Sequence, residues 1–295
     1  MARSLKMISR STLLHLRIPF SFFLLPVYLF ALSLQRPEDP FYALLTFFII
    51  HFLLYPASNA YNSYFDKDEG SIGGLEKPPA VSAELYWTAL LFDLMAILLG
   101  LLISWQFALM LLIYGLVSKA YSHPAIRLKK YPYGSWLIAG FFQGFFTVLM
   151  SYIGIHKVGW PTLGQPAVLL TAVLSSLMLW GSYPMTQIYQ HEEDSRRGDI
   201  TLSYKLGVRG TFYFTAAVFS LSAISFFLYY HLYVSTTHAF IYLLFLFPVL
   251  LYFFSWYWRV YKDLKQADFR STMLLNLISG LCLNLFFLLT IFWRA

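Results

Sequence analysis

Two short stretches hold the groups best suited to chemistry. In the first, Asn59, Asn62 and Asp66 recur at intervals of three and four, so they share one face of a helix, and Asp68, Glu69 and Gly70 come directly after. In the second, Gln187, Gln190 and Asp194 repeat that spacing, with Tyr189, His191, Glu192 and Glu193 among them. Each stretch ends a long apolar run, where amides and carboxylates are costly unless something uses them. Carboxylate oxygens are hard ligands suited to Mg²⁺, an ion that keeps several waters and binds a few carboxylates plus substrate phosphate oxygens. Two facing acidic helix ends therefore read as a cradle for a diphosphate, with Asp66, Asp68, Glu69, Glu193 and Asp194 as candidate metal ligands. Lys119, Arg127, Lys129, Lys130, Arg196, Arg197 and Lys205 supply candidate diphosphate-binding cations, Arg gripping phosphate through two bonds and Lys acting as a point charge. Acids at a helix C-terminus also oppose the helix dipole, and a bound cation would compensate them.

The elements that must carry these stretches can be read from composition. The 295 residues are 59% hydrophobic and 12% charged, with a mean hydropathy of +0.61. Only a polytopic helical membrane protein fits those values; a transmembrane barrel would alternate, and these apolar runs are continuous. The single cysteine, Cys282, lies in an apolar run, which excludes a disulfide framework and a Cys-based metal site. The net charge of +7 is not clustered as a nucleic-acid surface would be, and topology accounts for it. Nine spans are expected, at about 18–35, 41–60, 84–103, 106–122, 135–154, 166–187, 210–230, 238–258 and 272–293. With the N-terminus inside, every Lys and Arg falls on the cytoplasmic side except Arg36, Lys157 and Arg294. Both acidic stretches then face the cytoplasm, which in a prokaryote means the inner face of the plasma membrane. No linker or low-complexity segment interrupts the series, so residues 1–295 read as one transmembrane domain, all-α, its helices around a central cavity.

In detail the chain resembles the UbiA superfamily of intramembrane prenyltransferases over nearly its whole length. That family's first motif is Asn-Asp-x-x-Asp-x-x-x-Asp, or a variant ending in Gly. Here it reads Asn62-Ser63-Tyr64-Phe65-Asp66-Lys67-Asp68-Glu69-Gly70. The second, Asp-x-x-x-Asp with a Gly four residues on, is matched by Gln190 to Asp194 and Gly198, and Thr201-Leu202 to Gly207 resembles the segment after it. Tyr121-Ser122-His123-Pro124 through Arg127-Leu128-Lys129 is similar to a segment of the chlorophyll-synthase-like branch. The resemblance implies transfer of an isoprenoid chain from a prenyl diphosphate to an aromatic or other lipophilic acceptor, assisted by Mg²⁺. Asn62, Asp66 and Asp194 then match metal or diphosphate positions, and Lys129 or Lys130 a cation holding the diphosphate. Asn59, Tyr61, Tyr64, Gln187, Tyr189 and Gln190 are expected to line the cavity, the tyrosines shielding an allylic cation. Two departures stand out: Ser63 where Asp is usual, and Gln190 where the second motif begins with Asp.

Other readings compete. The lesser reading of Asp66 and Asp194 is as solvated helix ends, disfavoured by the amides at helical spacing beside them, and Arg259, Lys262, Lys265 and Arg270 read as anchors on anionic lipid. Asp93, alone in an apolar segment, calls for a hydroxyl or amide partner on a neighbouring helix, or for an acceptor-side or proton-handling role. Gln143, between Gly140 and Gly144, fits close helix packing or a cavity wall. At the level of function, the alternatives are an isoprenoid-lipid-binding protein without chemistry and a secondary transporter.

Overall fold

The computed structural model describes residues 9–293; the basic tail with Arg3 and Lys6, and Arg294, lie outside the described residues. Its regular elements are helical, apart from one isolated bridge between Ile72 and Leu75. The chain enters through α1 (Arg10–Leu16), a 3-10 turn (Ile18–Phe23) and α2 (Leu25–Leu32), a pair bent by 47°. Arg17 in the left-handed conformation (φ +47°) ends α1, and Pro19 and Pro26 each remove a backbone donor just beyond it, so a straight helix cannot run through.

The remaining helices are α3 (Pro40–Asp66), α4 (Glu84–Leu101), α5 (Trp105–Ser122), α6 (Pro132–His156), α7 (Pro166–Gln187), α8 (His191–Arg197), α9 (Leu202–Tyr233), α10 (Thr236–Lys262) and α11 (Phe269–Phe292). Their starts obey capping chemistry: Asp39, Ser104, Thr201, Ser235 and Asp268 each accept a first-turn N–H, and Pro40, Pro132 and Pro166 open their helices. Gly207, at φ +68°, breaks the first turn of α9 from its long part. By length and apolarity the described residues hold seven helices able to cross a membrane, eight if the bent entry pair is one span. The segment of the remaining expected span is α5, an 18-residue helix that Gln106 and Lys119 leave less apolar than the other eight.

Neighbouring helices close a ring. α3 packs on α4 and α4 on α5; α6, α7, α9, α10 and α11 continue it in order; α2 then bridges α11 and the end of α6. Phe30, Phe226, Tyr230, Phe286 and Phe287 interlock at the join of α2, α9 and α11. Outside, Trp87, Leu91, Leu98, Phe240, Leu244 and Phe247 stand exposed, a surface suited to lipid. α6 and α7 touch at Gly144, where a Cβ would lie 2.5 Å from the backbone of Ser176. The Ser176 hydroxyl accepts from the Phe145 N–H and donates to the Gly140 carbonyl, both at 2.8 Å. It thereby satisfies groups freed by a π-helical stretch, Phe141–Phe146, which turns Phe142 and Gln143 toward the interior. The loops after α3, α5 and α7 meet at one end of the ring.

Candidate active site

Asp66 is the last residue of α3, and Lys67, at φ +50°, turns the chain away beyond it. One turn earlier Asn62 donates to Asp66 Oδ2 at 2.7 Å and to the Ser122 hydroxyl at 3.1 Å, so the helical spacing read in the sequence becomes a contact. The loop between α5 and α6 then delivers its cations. Lys129 Nζ sits 2.6 Å from Asp66 Oδ1 and 3.2 Å from Asp199 Oδ2. Arg127, itself left-handed at φ +46°, grips Asp199 through Nε and Nη2, both at 2.7 Å. Asp199 is 1% exposed. Burial alone would raise its carboxyl, but the bonds from Arg127 and the charge of Lys129 outweigh that and hold it below the usual range.

Asp194, on α8, is buried on the same cavity, and the Thr201 hydroxyl donates to it at 3.4 Å. No cation lies within ion-pair distance of it among the described residues. Burial pushes its carboxyl up to about 7, with Lys129 only partly opposing the shift. The folded chain therefore holds that proton more tightly than the unfolded one, and stability falls as pH rises from about 4 to about 7 and is flat above. A divalent cation competes with the same proton. Affinity for inorganic diphosphate with Mg²⁺, measured by titration calorimetry, is expected to fall below pH 7 more steeply in the parent than in Asp194→Asn, where only the proton uptake of diphosphate itself remains.

The cavity has a volume of about 250 Å³. Asn59, Asn62, Asp66, Asp68, Lys129, Gln187, Tyr189, Gln190, Asp194 and Arg197 all line it, so the two stretches do meet. Other expected residues stand elsewhere. Lys119 pairs with Asp93 across α4 and α5, above the Tyr61 ring. Lys130 and Lys205 are exposed and lie over Tyr131 and Tyr133, and Arg196 pairs with Glu192 at the surface. Tyr61 and Tyr64 pack with Phe65 and Tyr86 against α4, away from the cavity. Glu69 is exposed, and His191 shares a 2.8 Å hydrogen bond with Ser203. Two charged residues join the site without being expected there. Asp199 stands next to Gly198 in a loop, and Arg17 reaches in from the entry bend, donating to the carbonyls of Gly73 and Asn59, both at 3.2 Å.

One turn farther along the same elements lies a second cavity of about 100 Å³, largely apolar. Phe20 and Met273 line the first and Phe23 and Asn276 the second, with Tyr183 and Thr186 alternating in the same way with Ser182 and Met185. A charged chamber thus adjoins an apolar one.

The donor set fits Mg²⁺ of the kind that shares its shell with a substrate. Asp66, Asp68 and Asp194 present hard oxygens to one cavity, and Asp194 is a buried carboxylate short of a cation. Among the described residues no three acidic, His or Cys side chains converge tightly enough to hold an ion unaided. An ion bound by one or two carboxylates would complete its shell with phosphate oxygens and water.

The family model for the UbiA prenyltransferase family matches residues 23–278. A structure described as a UbiA homologue from Archaeoglobus fulgidus bound to DMAPP and Mg²⁺ is 16% identical, with a TM-score of 0.66 over 96% of this chain and 100% of that one. A structure of digeranylgeranylglyceryl phosphate synthase is 21% identical, with a TM-score of 0.60 over 96% of this chain and 98% of that one. No curated protein matches the chain.

Proposed function

Because the chain belongs to the UbiA prenyltransferase family, we propose that it transfers an isoprenoid chain from a prenyl diphosphate to a lipophilic acceptor, with Mg²⁺, at a site facing the cytoplasm. One observation carries the reading. Asp66 and Asp194, far apart in sequence, line one cavity, with Lys129 on Asp66 and an apolar chamber alongside. That pairing suits a ligand with a highly charged head and a greasy tail. The similar A. fulgidus structure holds DMAPP and Mg²⁺, which agrees with a prenyl diphosphate here. The distribution of Lys and Arg along the chain supports the orientation.

Asp66, Asp68 and Asp194 would hold Mg²⁺, which supplies charge neutralisation for diphosphate as it departs. Lys129, Arg197 and Arg17 line the cavity and would take up the charge that develops on the head group, with Arg127 behind them on Asp199 and 3.8 Å from Asp66. The bond between the prenyl C1 and the diphosphate oxygen breaks with its electron pair leaving on oxygen. The acceptor's nucleophilic atom bonds to C1 and releases its proton to the departed diphosphate. Tyr183, Tyr121 and Tyr189 line the cavity and would shield the allylic cation from water.

The test is a membrane assay with radiolabelled prenyl diphosphates of several chain lengths, a panel of aromatic and lipid acceptors, and Mg²⁺. Labelled product that disappears with EDTA and returns with added Mg²⁺ is the expected result. Donor binding without product, across all lengths and acceptors, would make the chain a lipid-binding protein instead. Solute uptake into proteoliposomes, indifferent to Asp66→Ala, would make it a transporter.

A further inference from the structure

Gln190 stands where the second motif begins with Asp, and Gly70 is the Gly form of the first motif's last place, so the obvious explanation is a site with fewer metal ligands. Their contacts point elsewhere. The turn after α3 exposes the N–H groups of Glu69 and Gly70, and both point at Glu193 Oε1, at 2.9 and 3.4 Å. The same carboxylate pairs with Arg197 one helical turn along α8, and the other terminal nitrogen of Arg197 pairs with Asp68. A Cβ at position 70 would lie 2.6 Å from Glu193 Oε2. The glutamate thus occupies the room an Asp side chain at 70 would fill. Gln190 Nε2 donates to the Ser71 carbonyl at 3.0 Å. An Asp there has no proton to donate near neutral pH and would set its charge against that carbonyl.

We propose that Glu193 and Gln190 are positioning residues. With Gly70 they form a clasp that ties the turn after α3 to α8 and so fixes Asp68 and Arg197 at the cavity wall. Glu193 Oε1 accepts from two backbone N–H groups and pairs with a guanidinium, so this oxygen joins the two halves of the site. Gly70 gives clearance and Gln190 supplies a donor, so the Gly form of the first motif and the Gln of the second serve one contact. The effect on substrate rests on the diphosphate reading above; the clasp itself does not.

Two measurements on the full-length chain in detergent test it. Hydrogen–deuterium exchange over residues 67–72 is expected to quicken about tenfold in Glu193→Ala, which removes the acceptor of two amides, and also in Gln190→Asp. Calorimetric affinity for inorganic diphosphate with Mg²⁺ is expected to weaken about tenfold in Glu193→Ala and to recover to within about threefold when Gly70→Asp is added, which returns a carboxylate to the vacated space. Glu193→Gln, which keeps an acceptor but not the charge, falls between. Unchanged exchange in Glu193→Ala overturns the clasp. So does a Gln190→Asp protein that binds Mg²⁺-diphosphate more tightly than the parent, because a lost metal ligand would then have been restored. A parent chain that shows the expected exchange yet binds no diphosphate overturns the proposed function and leaves the clasp standing.

Discussion

Asp66→Ala is expected to lower prenyl transfer about a thousandfold, the scale seen when a preorganised electrostatic contact to a reacting group is deleted. The size reflects how many contacts converge on this one side chain. Its two oxygens receive Lys129 at 2.6 Å and Asn62 at 2.7 Å, and Arg127 lies 3.8 Å away. Removing it takes away a metal-facing oxygen and also leaves Lys129 to collapse onto Asp199, already 3.2 Å from it. Asp66→Asn keeps the shape and a hydrogen-bond acceptor but not the charge, so it separates the two losses. An initial-rate assay at saturating donor should find Asn as poor as Ala if charge is what counts. Retention of a tenth of the parental rate by Asp66→Ala, with an unchanged need for Mg²⁺, would remove Asp66 from the site.

The second large effect falls on folding. Asp93 and Lys119 form an ion pair between α4 and α5, their side chains only 12% and 17% exposed. Taking two charges from water is costly, and their mutual attraction repays it only while both are present. Asp93→Leu leaves an ammonium stranded beside lipid-facing helices. The expected cost is about 3–5 kcal/mol, a large part of a typical margin of stability. Thermal unfolding in detergent, monitored by loss of the monodisperse peak, should show it as a sharply lowered midpoint. Adding Lys119→Met should recover most of the loss, since removing both charges is far less harmful than removing one. If the double variant is no more stable than Asp93→Leu, the pair is not what holds α4 to α5.

That pair also marks the limit of what the sequence makes legible. The membrane class, the helical segments and the two acidic stretches all rest on local regularities, namely apolar length and spacings of three and four. The union of Asn62 with Asp66 needs only one helix, and it is present. Lys119 reads as a phosphate-binding cation because it stands near the correct end of its helix, but its partner Asp93 belongs to another helix and is invisible to periodicity. Tyr61 and Tyr64 are recoverable. With Asn62 facing the cavity, a rotation of about 100° per residue carries both tyrosines to other faces, where they meet Tyr86. Asp199 is not recoverable, because a loop residue after a glycine carries no pattern and its meaning comes from Arg127 on a distant segment. The left-handed turn at Arg17 and the π-helical stretch Phe141–Phe146 likewise carry no period, the latter depending on how Ser176 of a neighbouring helix reclaims freed backbone groups.

The linkage of Asp66, Lys129 and Asp199 has a further consequence in time. A chain is made from its N-terminus, so α3 enters the membrane with Asp66 at its end before any of the loop cations exists. Arg127 and Lys129 come next, and the ribosome reaches Asp199 only after α6 and α7 have been built. During synthesis the first acid therefore acquires its counter-charges from the middle of the protein, and the last acid arrives to find them already in place. The order of the residues along the polypeptide thus doubles as an assembly schedule, in which the turn after α8 completes the linkage of acids and cations.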